Sequence, residues 1–221
     1  MYYKPFPDLK TAYKQFPLKD RKSARLKLRI LESTLDLMGT GPFREISVDQ
    51  IADRAEISRG TLFNYFPQKK EIMFYYFEIW NFHRSVEQLQ KPLTGVRAIE
   101  RLFQQSAVIY KKRPGVALSV LSFIADLREK PQRIAISPAE RRLLYPNLEN
   151  IEHIEILQLY QRFNLHVEEA LQAKNINTSL PKKDIVNLLE TIWYGGFMVA
   201  HMSGKDIESV YKSNLKWLKP E

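Results

Sequence analysis

A chain of 221 residues with no cysteine is long enough to bury a core without staples, and it excludes a disulfide framework, a thiolate zinc site and a cysteine nucleophile. Its most apolar stretch, Ile72 to Phe82, is broken by Glu78 and falls short of the roughly 18 uncharged residues of a spanning helix; with no apolar run leading to a small-residue cleavage site, a cytoplasmic protein without a membrane partner is expected. The net charge of +9 is uneven, because residues 1–70 hold 14 Lys and Arg against 8 Asp and Glu while the remaining 151 residues hold 20 against 17.

Residues 1–19, where Tyr2, Tyr3, Phe6, Tyr13 and Phe16 lie among lysines and prolines, follow no period and are expected to form an arm. From residue 20 onward the apolar positions recur at helical spacing, which predicts an all-α fold. A first helix over about 20–38 carries Ala24, Leu28, Leu31, Leu35 and Met38 on one stripe and stops at Gly39, Gly41 and Pro42. Lys19, Arg21, Lys22, Arg25, Lys27 and Arg29 fall within eleven residues that hold a single acid, Asp20. Such a run suits a polyanion, although a solvated helix face has the same composition, and the next segment decides between them.

A second helix opens at Ser47, with Gln50 in the capping-box position, and ends near Ala55. Ser58 caps a third helix of barely two turns, which Pro67 closes. Val48, Ile51, Ala52, Ala55, Ile57, Leu62 and Phe66 are apolar and the positions between them polar, the pattern of two short crossed helices. Ala52 allows close approach, Ile57 plugs the turn, and the face with Arg59, Gly60, Phe63 and Asn64 is left free for a major groove.

A fourth helix, about 68–90, is crowded with Phe74, Tyr75, Tyr76, Phe77, Trp80 and Phe82 and is expected to pack on two sides. Further helices are expected at about 94–112, 115–129, 149–174, 182–203 and 205–217, with breaks at Pro92, Pro114, Pro131, Pro138, Pro146 and Pro181.

The stretch from Ile51 to Ile72, IADRAEISRGTLFNYFPQKKEI, resembles the signature of the TetR family of transcriptional regulators. With the first helix and Gly41-Pro42-Phe43 the resemblance covers residues 22–75. It implies an N-terminal three-helix DNA-binding domain over 20–67 and a helical effector-binding and dimerisation domain over 68–221. It implies phosphate anchoring by Ser47 and Thr61 at helix N-termini, phosphate contact by Tyr65 and Lys69, and base reading by Arg59, Gly60, Phe63 and Asn64. Arginine suits guanine O6 and N7, and asparagine suits adenine. Phe63 stands where the family often has tyrosine. Glu56 replaces the usual turn glycine, Gln68 the usual hydroxyl cap of the fourth helix, and Lys70 the usual acid of its first turn.

In the body, 149–174 aligns Ile156, Tyr160, Phe163, Val167, Ala170 and Leu171, with Ile154, Leu157 and Leu165 beside them; 182–203 aligns Ile185, Leu188, Leu189, Ile192, Gly196 and Val199. Gly195 and Gly196 would let another helix come close. The resemblance implies that these two helices pair with a second copy, so that a homodimer reads a near-palindromic operator in double-stranded DNA. Phe103, Tyr110, Phe123, Phe163, His166, Trp193 and Phe197 are candidate lining for an apolar or aromatic effector of unknown identity, although each also suits a packed core. His166 and His201 lie on separate helices with no carboxylate at ligand spacing, so neither a metal nor a cofactor is expected. No G-x-S-x-G, glycine-rich phosphate loop or H-E-x-x-H is present, so an enzyme is not expected, and the resemblance implies a repressor. The alternatives are a helical adaptor and a DNA-binding protein without an effector.

Overall fold

The computed structural model describes residues 15–39, 42–128, 132–176 and 180–218. Among them there are ten α-helices and no strand: α1 (Leu18–Met38), α2 (Val48–Arg54), α3 (Arg59–Tyr65), α4 (Lys70–Gln90), α5 (Gly95–Lys112), α6 (Pro114–Asp126), α7 (Pro138–Leu144), α8 (Leu159–Gln172), α9 (Lys182–Ser203) and α10 (Ile207–Asn214). The all-α expectation holds. Most of the proposed arm, and Gly41, lie outside the described residues.

The helices divide between two compact units. The first takes in the described residues up to Val86 together with Ser122–Ile156, and the second Glu87–Leu121 with those from Leu157 onward. In the first, Ala24, Leu28, Leu31, Leu35 and Met38 of α1 are buried as their spacing predicts, with Ile51, Ala52, Leu62 and Phe66 beneath the short helices. Each large apolar side chain so buried contributes about 1.5–3 kcal/mol. In the second, α5, α8, α9 and α10 enclose Phe103, Phe163, Val167, Ile185, Leu189 and Trp193.

The chain between α6 and α8 departs from expectation. Pro138, read as a break, is instead the first residue of α7, and the Ser137 hydroxyl accepts from the Glu140 amide while the Glu140 carboxylate accepts from the Ser137 amide. Proline is at home there because the first helical N–H has no partner to lose. Pro114 opens α6 in the same way.

The helix expected from residue 149 begins only at Leu159; ahead of it lie a left-handed Asn150 (φ 54°) and a short 3-10 turn, Ile151–His153. Two arginines of α7 hold that segment open. Arg141 donates to the carbonyls of Glu152 at 3.0 Å and Ile154 at 2.7 Å, and Arg142 donates to those of Pro146 and Leu148, both at 3.0 Å. Arg142 also meets both Glu152 oxygens, at 2.7 and 2.8 Å. The Glu152 and Ile154 carbonyls, which a helix from residue 149 would have satisfied internally, are satisfied by the Arg141 guanidinium instead.

Candidate nucleic-acid interface

The α2–α3 pair is built from local signals. The Ser47 hydroxyl accepts from the Gln50 amide at 3.0 Å, and the Gln50 side chain accepts from the Ser47 amide at 2.7 Å. Ser58 caps α3 by accepting from the Thr61 amide at 3.1 Å, and its hydroxyl lies 2.8 Å from that of Thr61. Between the two helices the Ile57 amide donates to the Ala52 carbonyl at 3.0 Å, across a turn in which Glu56 has φ 53°. The family's glycine position is therefore left-handed here too, and a side chain at that φ costs about 1 kcal/mol or more.

Buried Leu62 and Phe66 fix the inner side of α3. Its outer side presents exposed Arg59, Gly60 and Asn64, with Phe63, Thr61 and Tyr65 half-buried. The Arg59 guanidinium lies 5.5 Å from the Phe63 ring centre and 3.5 Å from the exposed Asp49 carboxylate of α2. Sequence reasoning gave Asp49 no part. An exposed pair of this kind is weak, so it orients the arginine in the free protein without committing it. A Cβ on Gly60 would meet only the Ser58 hydroxyl, at 3.9 Å, so no internal packing demands a glycine there. On α1, Lys22, Arg25 and Arg29 are exposed.

The Lys69 side chain turns toward the segment that precedes α2. Its ammonium donates to the carbonyls of Phe43, Arg44 and Ile46 at 2.9, 3.2 and 2.8 Å and sits 4.7 Å from the Phe43 ring centre. An ammonium has three hydrogens, and here all three are used. Burial lowers its pKa from the ordinary lysine value. Lys69 thus ties the turn that precedes α2 to the start of α4.

The effector candidates fall into separate groups. Phe103 stacks on Phe163 at 5.8 Å and meets Trp193 edge-on at 5.3 Å, and Tyr110 stacks on Phe197 at 5.7 Å. Two rings join them: Trp193, 6.5 Å from Phe197, and Tyr211 of α10, absent from the sequence-derived set, 4.8 Å from Phe103 and 6.1 Å from Phe197. Its hydroxyl donates to the Trp193 carbonyl at 2.9 Å, and burial pushes its pKa up. Nearby on α8, buried His166 contacts Glu169 through Nδ1 at 2.8 Å, and the same carboxylate oxygen accepts from the Gly95 amide at 2.9 Å. That carboxylate, three residues on along the same helix, is the partner of His166. Phe123 belongs elsewhere, among Phe43, Phe74 and Phe77 of the first unit at 5.6, 5.7 and 6.1 Å.

Residues 30–76, which span both short helices and the first turns of α4, match the family model described as bacterial regulatory proteins of the tetR family. The chain carries the N-terminal domain of the TetR family. No curated protein matches the chain by sequence. Among solved structures, the fold resembles that of the transcriptional regulator FadR from Bacillus subtilis in complex with stearoyl-CoA, at 14% identity and TM-score 0.61 over 86% of this chain and 95% of that one. It resembles equally a TetR transcription regulator from Haloarcula marismortui (14% identity, TM-score 0.61, 88% and 96% of the two chains). A third likeness is to reduced NemR from E. coli, with 15% identity and TM-score 0.59 over 89% and 100%. Residues 30–76 are thus similar to the N-terminal domain of TetR-type regulators, and none of the described helices is long and apolar enough to cross a membrane.

Proposed function

We propose that this TetR-type regulator is a homodimeric repressor that reads a near-palindromic operator and is released from it by an apolar or aromatic small molecule. The observation that carries the DNA part is the outer face of α3. Arg59, Gly60, Phe63 and Asn64 stand exposed or half-buried on a helix whose opposite side is locked into the core. Ser47, Thr61 and Tyr65 flank that face as backbone contacts, and Lys69 supports it from within. Arg59→Ala lowers operator affinity by about 1–3 kcal/mol and relaxes preference at one base pair; equal losses on every operator variant would make Arg59 a phosphate contact instead.

Dimerisation is supported by apolar residues left uncovered on α8 and α9. Tyr160 and Leu165 on the former, and Met198, Val199 and Met202 on the latter, are all exposed, Met202 to 81%. Gly195 lies on the same helix, and a Cβ there would meet nothing within 4 Å. A row of this kind on a soluble chain fits a second copy of itself, and the two-fold axis so generated sets two recognition helices on two half-sites.

The effector reading rests on the ring cluster of the second unit, and the FadR fold neighbour was solved with a long acyl chain bound. Helix α4 is the lever, since one continuous helix carries the residues after the recognition helix and enters the second unit at Glu87. Linkage requires that operator weaken the effector by the factor by which effector weakens operator, typically about 1–3 kcal/mol. Hydrophobic compounds screened by thermal shift, each hit then titrated with and without operator, test this. Hits indifferent to operator would leave a DNA-binding protein with no effector response.

A further inference from the structure

Glu140 of α7 lies far outside residues 30–76, yet it is wired into the DNA-binding helices. Its side chain is 2% exposed. One carboxylate oxygen accepts from the Ser137 amide at 2.8 Å. The other takes the Lys27 ammonium of α1 at 3.1 Å and the Tyr75 hydroxyl of α4. Lys27 also lies 4.5 Å from the centre of the Tyr75 ring and 6.0 Å from that of Phe66. Phe66 is the residue that ends the recognition helix α3, and its ring is 5.5 Å from that of Tyr75. A single carboxylate therefore joins α7, α1 and α4, and through one ammonium it reaches the C-terminal end of α3.

Helix capping does not account for this arrangement. A capping box needs only the oxygen that faces Ser137, and it is ordinarily a surface device. Nor does stability alone account for it, because burying a carboxylate with an ammonium carries a desolvation cost that a well-packed apolar pair avoids. What a charged pair supplies and an apolar pair does not is a fixed direction: three donors converge on one carboxylate in a single geometry. The same stretch of chain is tied to α4 a second time, where Arg133 grips buried Glu78 with bonds of 3.0 and 3.1 Å.

We propose that Glu140 is a positioning residue for operator recognition, setting through Lys27 and Tyr75 where the end of α3 lies on the first unit. The inference rests on the DNA-binding reading and adds to it a residue from the body of the chain. It also makes α7 a place at which a change elsewhere in the chain would be felt by the recognition helix.

The test is a double-mutant cycle on the full chain with Glu140→Gln, which keeps shape and removes charge, Lys27→Met, and both together. Each is measured well below its own melting temperature, on the duplex that the wild type selects and on a random duplex. Each single variant is expected to lose about five- to tenfold in affinity for the selected duplex, and the double variant no more than either. Affinity for random duplex and its salt dependence stay unchanged, a split that a loss of folded protein would not produce. Tyr75→Phe, which removes one hydroxyl and keeps the ring, carries the same expectation at about threefold and serves if the charge variants do not fold. Folded variants that bind the selected duplex like wild type would overturn the proposal, as would a Lys27→Met variant whose salt slope falls by about one unit, since Lys27 would then be a phosphate contact. A wild-type protein that selects no duplex would overturn the regulator reading itself.

Discussion

Gly196 and Tyr211 define the sharpest packing constraint in the second unit. A Cβ on Gly196 would stand 2.2 Å from Cε1 of Tyr211, 2.9 Å from Cδ1 and 3.1 Å from Cζ, where carbon atoms in contact prefer about 3.5–4.0 Å. The ring has nowhere to go: it is 2% exposed, 4.8 Å from Phe103, and held by its hydroxyl on the Trp193 carbonyl at 2.9 Å. Gly196→Ala therefore forces overpacking, at about 1–3 kcal/mol, and strains a buried hydrogen bond worth about 1 kcal/mol. Against this the methyl returns up to about 1 kcal/mol of helix propensity. A net loss of about 1–3 kcal/mol follows, or about 2–12 °C in melting temperature for a chain of this size. Urea unfolding followed by circular dichroism at a fixed protein concentration reads it directly. In a Tyr211→Ala background the colliding ring is gone, and the same methyl should stabilise by about 0.5–1 kcal/mol. A Gly196→Ala variant as stable as wild type, or one that costs equally in both backgrounds, would refute the reasoning.

Glu56→Gly relieves the left-handed backbone at φ 53° and is expected to raise stability by about 0.5–1 kcal/mol; unchanged thermal unfolding would mean that the turn carries no strain. Lys69→Met removes three hydrogen bonds to carbonyls and is expected to cost about 1–3 kcal/mol of stability while leaving the salt slope of DNA binding unchanged, whereas a slope flatter by about one unit would return Lys69 to the phosphates. The His83 ring, packed against Tyr145 with Nδ1 2.6 Å from its hydroxyl, has its pKa lowered to about 3 by burial and by Arg84. Only the unfolded chain then takes the proton between about pH 6.5 and 3, so stability is full above that window and falls by about 1 kcal/mol per pH unit on entering it. His83→Phe should flatten that fall in pH-dependent unfolding. Met202→Glu places a charge in the exposed apolar row of α9 and is expected to leave a folded monomer by light scattering; a dimer of unchanged affinity would move the interface elsewhere.

The DNA-binding helices were legible because their signals are local. Ser47 with Gln50 and Ser58 mark helix starts within a few residues of the amides they satisfy, Pro67 marks an end, and the family's turn glycine, replaced here by Glu56, points to a left-handed turn. Helix α7 is not legible from periodicity although Ser137 and Glu140 repeat the spacing of Ser47 and Gln50, because proline both ends helices and opens them, and Pro138 reads equally as an end. The helix expected from residue 149 starts ten residues late, where Arg141 claims the carbonyls of Glu152 and Ile154, which no periodicity records. Lys69 illustrates the same limit: its place in the sequence matches a phosphate contact, but its direction is set by three carbonyls more than twenty residues earlier. The fit of Tyr211 over Gly196 and the separation of Phe123 from the other candidate rings are likewise products of tertiary packing, invisible to spacing along the chain.

Selection of duplexes from a random-sequence pool by the purified full chain tests the central claim most directly. The account predicts enrichment of one sequence with two related half-sites in inverted orientation, bound more weakly as salt rises, with Arg59→Ala losing preference at one symmetric pair of positions. A pool that returns without an enriched sequence, or binding indifferent to salt, would contradict it.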